Sequence, residues 1–359
     1  MRQATCRLHA RSARTKKPVW IPISERKMTT VEPNADQEPA VGRSRATNQA
    51  DVILFWAVRL ISTLGVVAVI WAAIATGDML VHGHPAYTIL LGLLFTVSTA
   101  VAIRSWRRHT PGHRRFKVLR ALGLLASCGV LALAGWLVPY SAGPAARSAM
   151  ISDSILTVTE SPTQILMTPT GTPSDVGVFF QPGALVDARA YAVILRPLVE
   201  SGHTVVIPKQ PLGVAFLSTR AFNTARAEHH PVERWVLGGH SLGGVVAAMN
   251  AQSAAKDPGK PVAGVLFFAS YPASDISSLP VPILSISASN DALTTPEKVK
   301  ASRSMLPKDT IFTEIEGGVH ANFGDYGTQS GDGEPTLSRD EARTEISAAS
   351  LAFVQSLGR

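Results

Sequence analysis

Trp-Val-Leu-Gly-Gly-His-Ser-Leu-Gly-Gly, residues 235–244, is an apolar strand run that breaks at Gly239-x-Ser241-x-Gly243 and continues at once into the small, helix-forming residues 245–251. A serine on so sharp a strand-to-helix turn has a strained backbone. The residues two before and two after it must lack bulk for strand and helix to approach, and Gly239 and Gly243 meet that need. The helix that starts behind Ser241 turns free N–H groups and its positive dipole end toward the place where an oxyanion would form. The pattern points to acyl-transfer chemistry.

In a chain with 28 glycines such a pattern also arises by chance, so its context decides. A serine hydroxyl needs an adjacent base, and that base needs a third group to orient it. On this elbow they follow in the order Ser, Asp or Glu, His, each just after a strand. Residues 281–287 form a short apolar strand that runs into Asp291, with Pro296 suited to open the next helix. Residues 310–315 read as another strand, leading through a glycine turn to His320. Asp325 is the main rival to Asp291, but it follows His320 and breaks the chain order. Glu314 and Glu316 read as solvated or loop-anchoring, and His229, His230 and His240 as structural or exposed. The expected triad is Ser241, Asp291 and His320. Of the two oxyanion N–H donors, Leu242 supplies one, since it follows the nucleophile. The other is assigned to Ala184, with Gly183 as the fallback, in the loop after a strand at 176–180.

These residues resemble the alpha/beta-hydrolase superfamily, and within it a compact bacterial group of the fold-5 type, here with an N-terminal membrane region. The resemblance rests on Pro-Gly-x-Leu-Val-Asp at 182–187, Gly-Gly-His-Ser-Leu-Gly-Gly at 238–244, and Gly-x-His-Ala-x-Phe-Gly-Asp-Tyr-Gly at 318–327. It covers about residues 154–357. It implies a serine hydrolase fold and triad without naming a substrate. Two positions depart from the pattern: Ala184 stands where glycine is frequent, and Val319 where a polar residue is common. A backbone donor survives the first change.

The remaining segments of this half read as a hairpin at 154–167 centred on Ser161-Pro162, helices at 188–201 and 219–229, and strands at 203–208, 235–237 and 262–269. Helices begin at Pro296 and about Arg339. Alternating strands and helices imply an α/β fold, a mostly parallel sheet flanked by helices, with ligands beyond the carboxyl ends of the strands. Only about ten residues separate the strands at 262–269 and 281–287, which leaves no room for a large cap. Residues 324–335 are expected to form a flexible rim.

Before this domain, residues 52–76, 86–103 and 121–140 each approach the roughly 20 apolar residues that span a bilayer, and none has a polar face at helical spacing. Three transmembrane helices are expected. Arg59, near the start of the first, is placed to snorkel, and Trp136 and Tyr140 suit an interfacial belt. Residues 1–51 carry ten Lys and Arg and the link 104–120 carries seven, whereas the link 77–85 carries none. Cytoplasmic loops hold the basic excess. The N-terminus is therefore expected inside and the hydrolase outside the cell membrane. The resulting division is a disordered basic tail at 1–51, a membrane region at 52–140, a linker at 141–153 read as a short tether, and a hydrolase domain at 154–359.

The formal net charge of +8 belongs to the membrane flanks, because residues 141–359 hold 16 basic against 20 acidic side chains. Nucleic acid is thereby disfavoured as a partner. Cys6 falls in the tail and Cys128 in the third span, leaving the hydrolase without a disulfide. No cofactor or metal motif stands out. The expected function is a carboxylic ester hydrolase whose partners are an ester or acyl substrate and the lipid bilayer. The alternatives are an acyltransferase on envelope acceptors and a catalytically silent binding module.

Overall fold

Eight strands form one sheet: β1 (Leu156–Glu160), β2 (Gln164–Pro169), β3 (Val176–Gln181), β4 (Val205–Pro208), β5 (Arg234–His240), β6 (Val262–Phe268), β7 (Ile283–Ala288) and β8 (Ile311–Ile315). Their order is β1-β2-β4-β3-β5-β6-β7-β8. Only β2 runs against its neighbours. The computed structural model describes residues 49–111, 116–229, 231–256 and 262–358. The expectations for the tail up to residue 48, for part of the basic link and for His230 lie outside them.

The central strands are near-continuous apolar runs because helices cover both faces of the sheet. Side chains alternate along each strand. Phe180, Val236 and Phe268 therefore join the core beneath α5 (Pro144–Ala149), α6 (Ala192–Glu200) and α10 (Arg339–Ser356). Phe179, Leu237 and Phe267 join the opposite core with α7 (Ala221–Glu228) and α8 (Leu242–Ala254). Local chemistry sets the helix starts. Pro296 opens α9 (Pro296–Ser302). At α10, Ser338 Oγ accepts from Glu341 N while Glu341 Oε2 accepts from Ser338 N, a reciprocal cap that satisfies two otherwise orphaned donors.

Among the described residues three helices are long and apolar enough to cross a membrane: α1 (Gln49–Thr76), α3 (Pro85–Trp106) and α4 (Lys117–Trp136). The short α2 (Met79–His82) lies between the first two. Gly65 lets α1 approach α3, since a Cβ there would fall 2.6 Å from Ser98 Oγ. Arg59 does not extend into solvent. It is 6 % exposed, its guanidinium lies 4.0 Å from the Phe55 ring centroid, and it donates to the carbonyls of Ser105 and Arg108 at the end of α3. The negative end of the helix dipole at a C-terminus attracts such a cation.

Helix α4 stops at Trp136, and the segment after it, expected to be a short tether, is docked onto the eight-stranded sheet. Tyr140 pairs with Val186 as a parallel bridge, and its ring lies 5.8 Å from that of Tyr326. Residues 144–149 form α5, with Ala146 fully buried. Asp325, the rejected rival of Asp291, has a structural task here. Its carboxylate accepts from Ala146 N at 2.8 Å and its carbonyl accepts from Gly143 N, which ties the first turn of α5 to the loop after His320. The rim is held as well, because Asp332 accepts from the backbone N–H groups of His320 at 3.1 Å and Ala321 at 2.8 Å.

Candidate active site

Ser241 sits between β5 and α8 at φ 51°, ψ −122°. This is a sparsely populated conformation for a residue with a Cβ, and it persists only where the surroundings over-determine it. Here Ser241 N donates to Phe268 O on β6 at 3.0 Å, and Ser270 Oγ donates to Ser241 O at 2.7 Å. The flanking glycines are demanded by close approach. A Cβ on Gly239 would lie 2.4 Å from Gly243 C, and one on Gly243 would lie 2.2 Å from Gln181 O and 2.3 Å from Pro182 O. The first turn of α8 is therefore pressed against the loop that leaves β3.

The chain brings Asp291 and His320 together from the ends of β7 and β8. His320 Nδ1 and Asp291 Oδ2 are 2.7 Å apart, with the side chains 1 % and 0 % exposed. The other oxygen of Asp291 accepts from Leu293 N at 2.8 Å and Thr294 N at 2.6 Å, so the carboxylate has no freedom to rotate away. With Nδ1–H donating to Asp291, His320 Nε2 is left as the proton acceptor. Among the described residues Ser241 Oγ has no hydrogen-bond partner. Catalytic hydrogen bonds are often long without substrate and tighten in the reacting complex.

Leu242 is the first residue of α8, so its N–H has no partner within the helix. Ala184 lies in the loop after β3, whose last residue Gln181 is in register with Gly239 of the elbow. Ser241, Leu242 and Ala184 are all half-buried amid fully buried neighbours, which marks where the site meets solvent. The fallback donor is already engaged, because Gly183 N donates to Tyr191 Oη at 2.8 Å.

Sequence reasoning places His240 among structural or exposed residues, and it is fully enclosed. Its ring centroid is 4.5 Å from that of His320, and its Nδ1 is 2.9 Å from Tyr191 Oη. Burial holds the Tyr191 phenol far above its usual range, so it stays protonated and donates to His240. Burial first, and the neighbouring His320 second, hold His240 well below the usual imidazole value. Of the two imidazoles, His320 is the one that touches a carboxylate. Tyr191 and Asp332 escape a sequence reading because each is defined by a partner dozens of residues away or by a loop without periodicity. The block at 318–327 is the only available hint that the histidine loop is braced as a unit. Among the described residues no group of three His, Cys, Asp or Glu side chains is placed to hold a metal ion.

Residues 177–344 match the model of the alpha/beta hydrolase family. Among solved structures, a predicted CIB-like hydrolase from Thermoplasma acidophilum is 14 % identical, covering 56 % of this chain and 99 % of its own, with a TM-score of 0.43. A thermophilic esterase from the planctomycete Thermogutta terrifontis is 13 % identical, covering 54 % and 90 %, with a TM-score of 0.40. A thermostable carboxylesterase from a metagenomic library is 16 % identical, covering 60 % and 93 %, with a TM-score of 0.43. No curated protein matches the chain. The eight-stranded region is an alpha/beta hydrolase fold.

The neutral state of His240 has a measurable consequence. Below about pH 6.5 the unfolded chain takes up a proton at this imidazole and the folded chain does not. Its contribution is thus fully present above that value and is lost as pH falls toward the depressed folded pKa, by up to about 1.4 kcal/mol per pH unit. In His240→Asn the fall in stability of the full chain between about pH 7 and pH 5 should be shallower than in wild type by about one proton. Chemical unfolding of both proteins across that range checks this, and parallel curves would contradict it.

Proposed function

We propose that this alpha/beta hydrolase is a membrane-anchored serine hydrolase that cleaves carboxylic esters through an acyl-enzyme. The observation that carries the reading is the buried 2.7 Å contact of His320 Nδ1 with Asp291 Oδ2, with the His320 ring 4.5 Å from that of His240, the residue before the strained Ser241. Ser241 Oγ attacks the carbonyl carbon as His320 Nε2 takes its proton. Asp291 keeps the imidazole in the required tautomer and stabilises the imidazolium. The N–H groups of Leu242 and Ala184 receive the oxyanion. The C–O bond to the leaving alcohol then breaks, and His320 returns the proton to that alcohol. Water, activated by the same histidine, resolves the acyl-enzyme to acid and free serine.

The three apolar helices support membrane anchoring. The charge bias of the links supports a cytoplasmic N-terminus and an extracytoplasmic hydrolase domain. The segments proposed are a cytoplasmic basic tail at 1–51, a membrane region at 52–140, a docked linker at 141–153 and the hydrolase domain at 154–359.

With a soluble ester such as p-nitrophenyl butyrate, Asp291→Asn in the full chain should lower kcat by roughly 10³–10⁴-fold with little change in KM. Retention of wild-type kcat would remove Asp291 from the triad. Adding an acceptor alcohol separates hydrolysis from acyl transfer by the product formed. For orientation, protease added outside intact cells should cut the hydrolase domain, and protection until lysis would reverse the topology.

A further inference from the structure

The loop that carries the Ala184 donor is bound to the membrane helices as well as to the hydrolase sheet. Leu185, the next residue, sits at φ 60°, in the left-handed region that a side chain with a Cβ rarely adopts. Its N–H donates to Gly213 O at 2.8 Å, and its carbonyl accepts from Tyr140 N at 2.7 Å, just beyond the end of α4. Its side chain is buried with Val69 and Ala72 of α1, Tyr87 and Leu91 of α3, and Leu137.

Two residues on, Asp187 is 1 % exposed and accepts from Ala142 N at 3.2 Å and Arg189 N at 3.0 Å. Its Oδ2 pairs with Arg189 Nη2 at 2.6 Å. The outer edge of the same guanidinium makes two parallel bonds to Asp78, Nη1 to Oδ2 at 3.1 Å and Nη2 to Oδ1 at 3.1 Å. Asp78 lies in the turn between α1 and α2. A bidentate Arg–carboxylate pair constrains orientation as well as distance. The strained loop is thus clamped at Leu185 by the bundle and at Asp187 by an arginine that the membrane side holds in place.

We infer that Asp78 and Arg189 are positioning residues that hold loop 182–187 in its catalytic geometry, which makes the outer end of the membrane bundle part of the scaffold of the oxyanion hole. The inference rests on the serine-hydrolase reading above. Oxyanion donors work because they are fixed before charge develops. A displacement of about 1 Å can cost up to about 100-fold in rate. The interaction forms only in the transition state, so loosening the loop lowers kcat and leaves KM nearly unchanged.

The same junction contains an internal control. Glu160, at the end of β1, receives His82 Nδ1 of α2 at 3.0 Å and Lys209 Nζ at 2.8 Å. This contact also docks the membrane side onto the sheet, but β2 and β4 separate β1 from β3. Steady-state hydrolysis of p-nitrophenyl butyrate by the full chain in lipid nanodiscs tests the inference, with unfolding midpoints measured on the same samples. Asp78→Ala should lose about 10-fold or more in kcat with KM within about twofold. Asp78→Glu should recover part of the loss, and Glu160→Gln should keep wild-type kcat. Wild-type kcat in Asp78→Ala, or an equal loss in Glu160→Gln, would overturn the inference while leaving the triad reading intact. Hydrolysis by wild type that survives Ser241→Ala would instead overturn the triad reading, and this inference with it.

Discussion

The first turn of α8 has to pass so close to the carbonyls of Gln181 and Pro182 that only bare backbone fits, and the rest of the site depends on that approach. It forces glycine at 239 and 243 and pushes Ser241 into a strained turn at φ 51°. It also brings the loop after β3 against the helix N-terminus. Parallel strands then do the remaining work. Because β3, β5, β7 and β8 all end at one edge of the sheet, the loops bearing Ala184, Ser241, Asp291 and His320 converge without further architecture.

Burial sorts the ionisable groups of this edge into separate states. Asp291 places one oxygen on two backbone donors and the other on His320, so both oxygens are partnered although the side chain is sealed from water. His240, packed against the same imidazole, accepts from a phenol that stays protonated, and burial keeps it neutral. Of the two adjacent histidines, His320 is the one that meets a carboxylate. The junction with the three apolar helices follows a similar logic. Arg189 is 4 % exposed and can be buried because carboxylates flank it on two sides, Asp187 from the loop after β3 and Asp78 from the turn between α1 and α2.

The elbow, the strands on either side of it and the positions of Asp291 and His320 are legible in the sequence because each belongs to a local pattern: an apolar run, a glycine turn and a fixed chain order. The three apolar helices are legible from length and composition alone. Segment 141–153 reads as a tether because small and polar residues with Gly143-Pro144 look like a linker. Its helix is made instead by a proline start and a cap from Asp325, about 180 residues away. The Arg189–Asp78 pair and the bracing by Asp332 are equally invisible, since contacts between loops leave no periodic trace. The glycine-rich segment 324–335 looks flexible for the same reason, although Asp332 bonds the N–H groups of His320 and Ala321 and Glu334 O accepts from Asn290 Nδ2.

The most direct test of the account is covalent capture of the nucleophile. The full chain in lipid nanodiscs, shown to be folded, would be treated with a fluorophosphonate, and the adduct located by peptide mass spectrometry. The account predicts one phosphonylated site, Ser241, lost in Ser241→Ala and strongly slowed in His320→Ala. A folded wild type that takes up no probe, or an adduct that persists in Ser241→Ala, would contradict it.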